Sequence, residues 1–445
     1  MKDKFGFLTA APIPRVIGTM AIPTIISMMV TSFYNIADTY FVSQINTPST
    51  AAVGIVFTVM TLFQAVGFFF GHGSGNYIAI SLGENDTREA EKMAATALLY
   101  ALGLALLLAA AGFLFLDPLC SALGCTPTIL PYAREYMQPI LLGAPFLVGS
   151  LTLNVQLRQQ GSAAYGLVGM MSGALLNIAL DPLLIFTCGL GIRGAGIATL
   201  VSQMVSVGVL YAMTCRDNNI RIRLRNIRFS YQYIAGIFTG GTPSLTRQIL
   251  NSIATLVLNV SAAVYGDPAI AAMTIVTRIS FLVNSAVIGL GQGYQPLCGF
   301  CFGAKKYDRL IRGYWFCITV GTAFLTTIAV VGSLFPRELI ACFRDDAEVI
   351  HVGSEALRWQ LLTFPLGAVI MLSNMAMQAI RRPIRASLLA AAQRGLFFIP
   401  LLLVLPRHLG LFGLEICQPV ADVCAFAVSL PVALYTFGQL KKEGC

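Results

Sequence analysis

Charge is what this chain has least of. Only 11% of its 445 residues are Asp, Glu, Lys or Arg, against roughly 25% in soluble domains, while 56% are hydrophobic and mean hydropathy is +0.76. Too few polar side chains are present to cover a globule in water, so the sequence reads as an integral membrane protein. Its apolar stretches run to roughly 20 residues or more and lack the ~10-residue alternation of barrel strands, which leaves helices as the spanning element. No Cys/His cluster accompanies the 11 cysteines; scattered through apolar segments, they read as small hydrophobes, so neither metal nor disulfide chemistry is expected. The amphipathic start MKDKFGFLTAAPIPR has neither the apolar core nor the A-x-A site of a cleavable signal. The glycine-rich strings GHGSGNYIAISLGEND and GLGQGYQPLCGFCFGAKK lack the Gly-Lys-Ser/Thr ending of a phosphate loop, and in apolar context such glycines serve close helix approach.

Twelve spans are expected, at 16–42, 51–82, 93–116, 131–157, 164–188, 195–214, 232–264, 269–302, 313–335, 349–380, 386–406 and 412–437. Basic residues orient them. With the N-terminus in the cytoplasm, 20 of the 29 Lys and Arg fall on the inner side, and only Arg193, Arg337, Arg344 and Arg407 on the outer. This positive-inside bias predicts that both termini are cytoplasmic. The net charge of +9 is therefore mainly a topology signal, and CRDNNIRIRLRNIR reads as a linker near acidic lipid, not as a nucleic-acid patch.

The chain also repeats itself. A shift of 220 residues lays Pro23 on Pro243, Gly71, Gly73 and Gly83 on Gly291, Gly293 and Gly303, and Glu135, Pro145 and Asn154 on Glu355, Pro365 and Asn374. The expected organisation is a six-helix bundle at 1–214, a cytoplasmic linker at 215–231 and a second six-helix bundle at 232–445. Six being even, the halves share one orientation, the parallel-repeat plan of transporters.

Two acids break the apolar pattern. Asp38 in SFYNIADTYFVSQI and Asp181 in LLNIALDPLLIF lie inside the first and fifth spans, where a charged side chain costs about 2.5–3.5 kcal/mol on insertion scales and marks an ion path. Asn177 lies four residues before Asp181 and shares its helix face. The repeat mates of Asp38, Asn177 and Asp181 are Leu258, Phe397 and Leu401, so the second half has no copy of the acid pair.

Asp38 in YNIADTYFVSQI, the string ending SLGENDTREA, LLNIALDPLLIFTCGLGIRGAGIATLVSQ and GLGQGYQPLCGFCFGAKKYDR resemble the multidrug and toxic compound extrusion (MATE) family, particularly its MepA-like bacterial branch, over nearly the whole chain. The resemblance implies an all-α polytopic membrane protein with twelve transmembrane helices in two six-helix bundles related by an internal repeat. It implies a transporter, not an enzyme: a multi-pass protein of the bacterial cytoplasmic membrane, working as a monomer in the lipid bilayer without nucleic acid. Small organic compounds, drugs or metabolites and often cationic, would leave as Na⁺ or H⁺ flows in, with no cofactor beyond that coupling ion. The family's cation site, made from an acid on helix 1, an Asn and an acid on helix 5 and a Thr on helix 6, falls here on Asp38, Asn177, Asp181 and Thr199. Two carboxylates, an amide carbonyl and a hydroxyl are an oxygen-rich set suited to Na⁺ or, without it, to a proton.

Candidates for a substrate cleft are Tyr34, Phe57, Met60 and Asn154 in the first half and the polar set Arg247, Gln248, Asn251, Asn374 and Gln378 in the second. Arg394 and Asp422 lie at matched depths on spans 11 and 12 and are expected to form a structural ion pair. The competing reading is a flippase for lipid-linked saccharides, which calls for a strongly cationic cavity. A membrane-embedded prenyl transferase would need paired Asp-rich motifs for Mg²⁺-diphosphate, and the sequence has none.

Overall fold

The computed structural model describes residues 2–216, 218–344 and 346–443. Met1, Asp217, Asp345, Gly444 and Cys445, which belong to the expected bundles and linker, lie outside the described residues. Twelve long helices follow one another among the described residues: α1 Ile13–Ser43, α2 Thr47–Gly83, α3 Thr87–Leu114, α4 Leu130–Gln159, α5 Ala163–Pro182, α6 Gly191–Thr214, α7 Tyr231–Ala263, α8 Asp267–Gly303, α9 Tyr307–Leu334, α10 Ala347–Ala379, α11 beginning Pro383–Ala391, and α12 Leu411–Glu443. Helix α5 runs on through a π-helical turn, Leu183–Thr187, and α11 through another, Ala392–Phe398, before finishing as Ile399–Leu409. Eleven are long and apolar enough to cross a membrane; α7 has the length but is too polar. Short helices that the hydropathy pattern does not announce precede α1, at Lys2–Ala10, and bridge α3 to α4 and α9 to α10, at Leu116–Ala122 and Pro336–Ala341.

Local chemistry sets where these helices start and stop. Asn46, Asp86 and Asp346 cap α2, α3 and α10 by accepting from the backbone N–H groups of Ser49, Glu89 and both Glu348 and Val349, satisfying donors that a helix start leaves open. The ends repeat as faithfully as the sequence does. Asn85 and Lys305, 220 residues apart, both adopt positive φ (63° and 56°), as do Gly161 and Arg381 (83° and 55°). Each sits in a Schellman turn, closed by Asp86 N–H to the Ser81 carbonyl at 2.8 Å, Lys306 to Cys301 at 2.8 Å, Ser162 to Leu157 at 2.9 Å and Arg382 to Met377 at 3.0 Å.

Helix packing divides the chain into two compact units, Met1–Leu8 with Ile22–Gly241 and Thr9–Ala21 with Thr242–Cys445. The divisions fall one residue before Pro23 and its repeat mate Pro243. In the first unit α4 is the central helix, packed by α2, α3, α5 and α6; in the second α10 holds that place among α8, α9, α11 and α12. Glycines allow these approaches. A side chain at Gly71 would crowd Val155 of α4, and one at Gly291 would overlap Met375 of α10. Gly73 lies against the Ile237 carbonyl at the start of α7, and Gly293 against the Ala21 backbone in α1. The glycine strings are helix-packing surfaces. Asn154 and Asn374 clamp the next hairpin in each unit, donating to the Gly166 carbonyl at 3.0 Å and the Ala386 carbonyl at 2.6 Å.

The N-terminal helix docks on the first unit. Leu8 is fully buried, and the Lys4 ammonium donates to Asn219 Oδ1 at 2.6 Å and to the Ser162 hydroxyl. Burial pushes Lys4 down to about 8 from its ordinary value of 10.5. The docked state therefore holds fewer protons than the undocked one between pH 8 and 10.5, so docking strengthens as pH rises through that window and gains nothing further below 8. Chymotryptic cleavage after Phe5, corrected against an unstructured peptide, should slow from pH 8 to 10 in wild type and lose that trend in Lys4→Met. At Gly73, even alanine forces the Ile237 backbone to move. Gly73→Ala should cost about 1–3 kcal/mol, read as a lower unfolding temperature in detergent, whereas Gly103→Ala, with open space around it, should be neutral or stabilising.

Candidate cation site in the first unit

Small residues bring the site's helices together one turn from the residues that form it. Gly173 of α5 packs on the Ser202 carbonyl and Ser206 of α6, and the next turn of α5 carries Asn177. Gly196 of α6 packs on Pro139 and the Tyr136 carbonyl of α4, and Thr199 follows it by three residues. Asp38 comes from the end of α1, about five residues or ~7.5 Å before its last residue. Asp181 immediately precedes Pro182 and the π-helical turn of α5, a distortion frequent at functional sites.

All four residues expected from the sequence are buried: Asp38 at 9% exposure, Asn177 at 2%, Asp181 at 0% and Thr199 at 6%. The Asn177 amide donates to Asp181 Oδ1 at 3.4 Å and to Thr199 Oγ1 at 3.5 Å. Asp38 Oδ2 accepts from the Tyr136 hydroxyl at 3.4 Å. The two carboxylates lie within electrostatic reach of each other and of Tyr34 and Tyr136. These bonds are long and few. Asp38 Oδ1, Asp181 Oδ2 and Asn177 Oδ1 are buried with no hydrogen-bond partner among the described residues. Three orphan acceptors in one cluster are what a bound cation or proton would satisfy, since buried polar atoms otherwise go unpaired at a cost of about 1–3 kcal/mol each. Na⁺ would take these oxygens together with Thr199 Oγ1.

Asp422, an acid buried in α12, is differently served. Asp422 accepts from Gln393 and Gln418 at 2.8 Å each and from Thr363 at 3.5 Å. The expected Arg394–Asp422 pair takes an indirect form: Arg394 donates to Gln418 Oε1 at 2.6 Å, and Gln418 passes the link to Asp422. The π-helical turn accounts for the detour, because it contains both Gln393 and Arg394 and presents the amide, not the guanidinium, to the acid. Asp422 thus has three donors, where Asp38 and Asp181 each have one long bond among the described residues.

The cleft candidates divide. Tyr34 joins the acid cluster. Met60 is buried at 5% exposure and Phe57 lies exposed at 42%, and neither bonds to the acids. Arg247 donates to Asn374 Oδ1 at 3.0 Å and Ser244 Oγ at 3.5 Å, and Gln378 donates to Ser244 Oγ at 2.7 Å. Gln248 is half-buried and Asn251 exposed on α7, outside that network. Asn154, besides its clamp, accepts from Arg158 at 3.4 Å. Tyr136 was not among the residues expected from the sequence. Its position about six residues into α4, level with Thr199 about eight residues into α6, which runs in the same direction, is a depth match of the kind that joined the other four.

Two copies of one family profile, described as MatE, match the chain at residues 23–183 and 243–403, the same 220-residue spacing that the sequence shows. The chain belongs to the MatE family. It is 28% identical over 436 residues to the FAD transporter of Shewanella oneidensis, covering 95% of this chain and 94% of that one. It is 25% identical over 441 residues to the multidrug export protein MepA of Staphylococcus aureus, covering 98% and 97%. An outward-facing multidrug resistance MATE family transporter of the MOP superfamily shares its fold at a TM-score of 0.92, with 27% identity and 98% of each chain covered. This MatE protein is accordingly a multi-pass membrane transporter and not an enzyme.

In the second MatE repeat the counterpart positions are apolar packing. Leu258 is buried in the core of that unit, with Phe397 and Leu401 packed against it. Leu258→Met and Leu401→Met should leave transport near wild type, at a stability cost below about 1.5 kcal/mol. Tyr136→Phe should keep the fold and lower coupled transport about tenfold, the worth of a hydrogen bond to a charged group. Wild-type transport by Tyr136→Phe would remove that residue from the site.

Proposed function

We propose that this MatE protein is a secondary antiporter that exports small organic compounds as H⁺ or Na⁺ enters through the Asp38, Asn177, Asp181 and Thr199 cluster. The carrying observation is the trio of buried oxygens on Asp38, Asn177 and Asp181 that have no donor among the described residues, set against the satisfied Asp422. The positive-inside pattern supports a bacterial cytoplasmic membrane with both termini inside, so the cluster would lie toward the outer face, near the turns after α1 and α5. A monomer contains every residue of the proposed site.

An arriving cation or proton would neutralise the acids and remove the charge penalty for a drier, collapsed site. Pro23 leaves α1 without one backbone hydrogen bond and gives it a place to bend. The ionised, hydrated form would then favour the substrate-binding state. Ion and substrate should bind antagonistically, each weakening the other by the same factor. Asp38→Asn and Asp181→Asn, reconstituted in liposomes, should each abolish ion-driven efflux while the protein remains folded. Wild type should bind substrate more weakly when the driving ion is abundant, and Asp38→Asn should lose that dependence. A fully active Asp38→Asn transporter would remove the site from the mechanism.

A second reading of the substrate comes from the Shewanella relative. Its name and its 28% identity over 95% of this chain favour flavin nucleotides over cationic drugs. Efflux of FAD and of ethidium, measured in the same liposomes, separates the two.

A further inference from the structure

The segment that joins α6 to α7 is pinned along its length to the first unit. It starts with the alternation of an extended strand. Ile220 is buried and donates its N–H to Gln160 Oε1 at 2.7 Å, Ile222 packs on Leu153, Leu157 and Leu210, and Arg221 and Arg223 are exposed. A short helical turn, Leu224–Asn226, then brings the chain onto α3. From there it climbs that helix. The Asn226 amide donates to Glu91 Oε2 at 3.1 Å, the Arg228 N–H donates to Thr96 Oγ1 at 3.0 Å, and the Phe229 ring meets Tyr100 edge-on with centroids 6.1 Å apart.

Those three contacts measure depth. Helix α3 carries its charges at Arg88, Glu89, Glu91 and Lys92 and has none from Met93 to Leu114, so the apolar part of the bilayer begins close beyond Lys92. Thr96 lies four residues or ~6 Å past Lys92, and Tyr100 eight residues or ~12 Å. The segment therefore reaches the headgroup and acyl boundary, where interfacial elements bury an apolar side by about 5–10 Å. Its outward side chains suit that place. Leu224, Phe229 and Tyr231 are 85%, 79% and 83% exposed, which water would penalise and the interface accepts. Among them stand Arg223, Arg225 and Arg228, all exposed. No carboxylate among the described residues forms an ion pair with these three. The two acids of α3 are engaged, Glu89 with Tyr77 and Lys92 and Glu91 with the Asn226 amide.

We infer that the stretch from Arg223 to Tyr231 is an interfacial strap that binds acidic phospholipid. Leu224, Phe229 and Tyr231 lie against the acyl chains, while Arg223, Arg225 and Arg228 hold the phosphate headgroup with directional, charge-assisted hydrogen bonds. A lipid fits better than a soluble anion because guanidinium and apolar side chains alternate along one exposed stretch, so headgroup and acyl chain are both served. Each arginine near an acidic lipid surface is worth about fivefold in affinity. The inference is independent of what the protein transports and of which ion drives it.

The experiment uses full-length protein in lipid nanodiscs, which offer acidic lipid in both leaflets. The chain has 2 Trp, so Phe229→Trp combined with Trp315→Phe and Trp359→Phe leaves a single indole on the strap. Its emission should be blue-shifted from that of indole in water, and bromines placed near the headgroup end of the acyl chain should quench it more than bromines near the chain terminus. At equal mole fraction, brominated phosphatidylglycerol should quench it more than brominated phosphatidylcholine. Replacing Arg223, Arg225 and Arg228 together by Gln should abolish that preference and leave quenching by phosphatidylcholine in place, whereas replacing them by Lys should keep most of it. Water-like emission without quenching, or equal quenching by the two lipids, overturns the strap. A second measurement leaves the aromatic residues untouched. Short-chain phosphatidylglycerol added in detergent should raise the unfolding temperature of wild type, as a ligand of the folded state does, and should not raise that of the triple Gln variant. Equal stabilisation by phosphatidylcholine or by inorganic phosphate overturns the assignment to acidic lipid.

Discussion

A carboxylate placed among helices at membrane depth must find donors, a cation or a proton, and the first unit supplies too few donors. Asp38 has one long bond from Tyr136, and Asp181 one from Asn177. Asp422, in the second unit, shows what full satisfaction looks like, with three donors converging on it. The contrast separates a carboxylate that ties helices together from a pair that must recruit a partner from solution. Polar clusters in low dielectric are costly when half satisfied, and that cost gives ion binding leverage over conformation.

The scaffold that holds this cluster is built from absences of side chain. Gly173 and Gly196 bring α5 and α6 onto one another and onto α4 where Asn177, Thr199 and Tyr136 follow. In a bilayer, where lipid is as apolar as leucine, close packing between helices replaces the hydrophobic drive of a soluble core. The same logic runs through both repeats, in the paired glycines of α2 and α8 and in the turns at Asn85 and Lys305. Lys305 and Arg381 keep a left-handed backbone without being glycine, so the turn's hydrogen bonds hold a conformation that glycine would adopt more easily.

Duplication of one bundle left two copies free to specialise. The first kept acids, and its partner filled Leu258, Phe397 and Leu401 into a core. The second carries instead exposed polar residues on α7, at Asn251, Ser252, Thr255 and Asn259.

Composition, the 220-residue repeat and the helix-length apolar runs determined the fold class, because bilayer thickness and obligatory backbone hydrogen bonding leave a chain this apolar few alternatives. Asp38 and Asp181 were legible for the same reason: an ionisable group in an apolar run has a cost visible without coordinates. What only the tertiary structure decided is which atoms go unpaired. Tyr136 looks like any other tyrosine in α4 until it meets Asp38, and the π-helical turn of α11, which sends Gln393 to Asp422 and Arg394 to Gln418, has no signature in hydropathy. Hydrogen-bond satisfaction depends on the partners that neighbouring helices deliver, and helix rotation, crossing points and π-helical turns set that delivery. A linear pattern fixes the cost of burying each group, and only packing determines whether that cost is met.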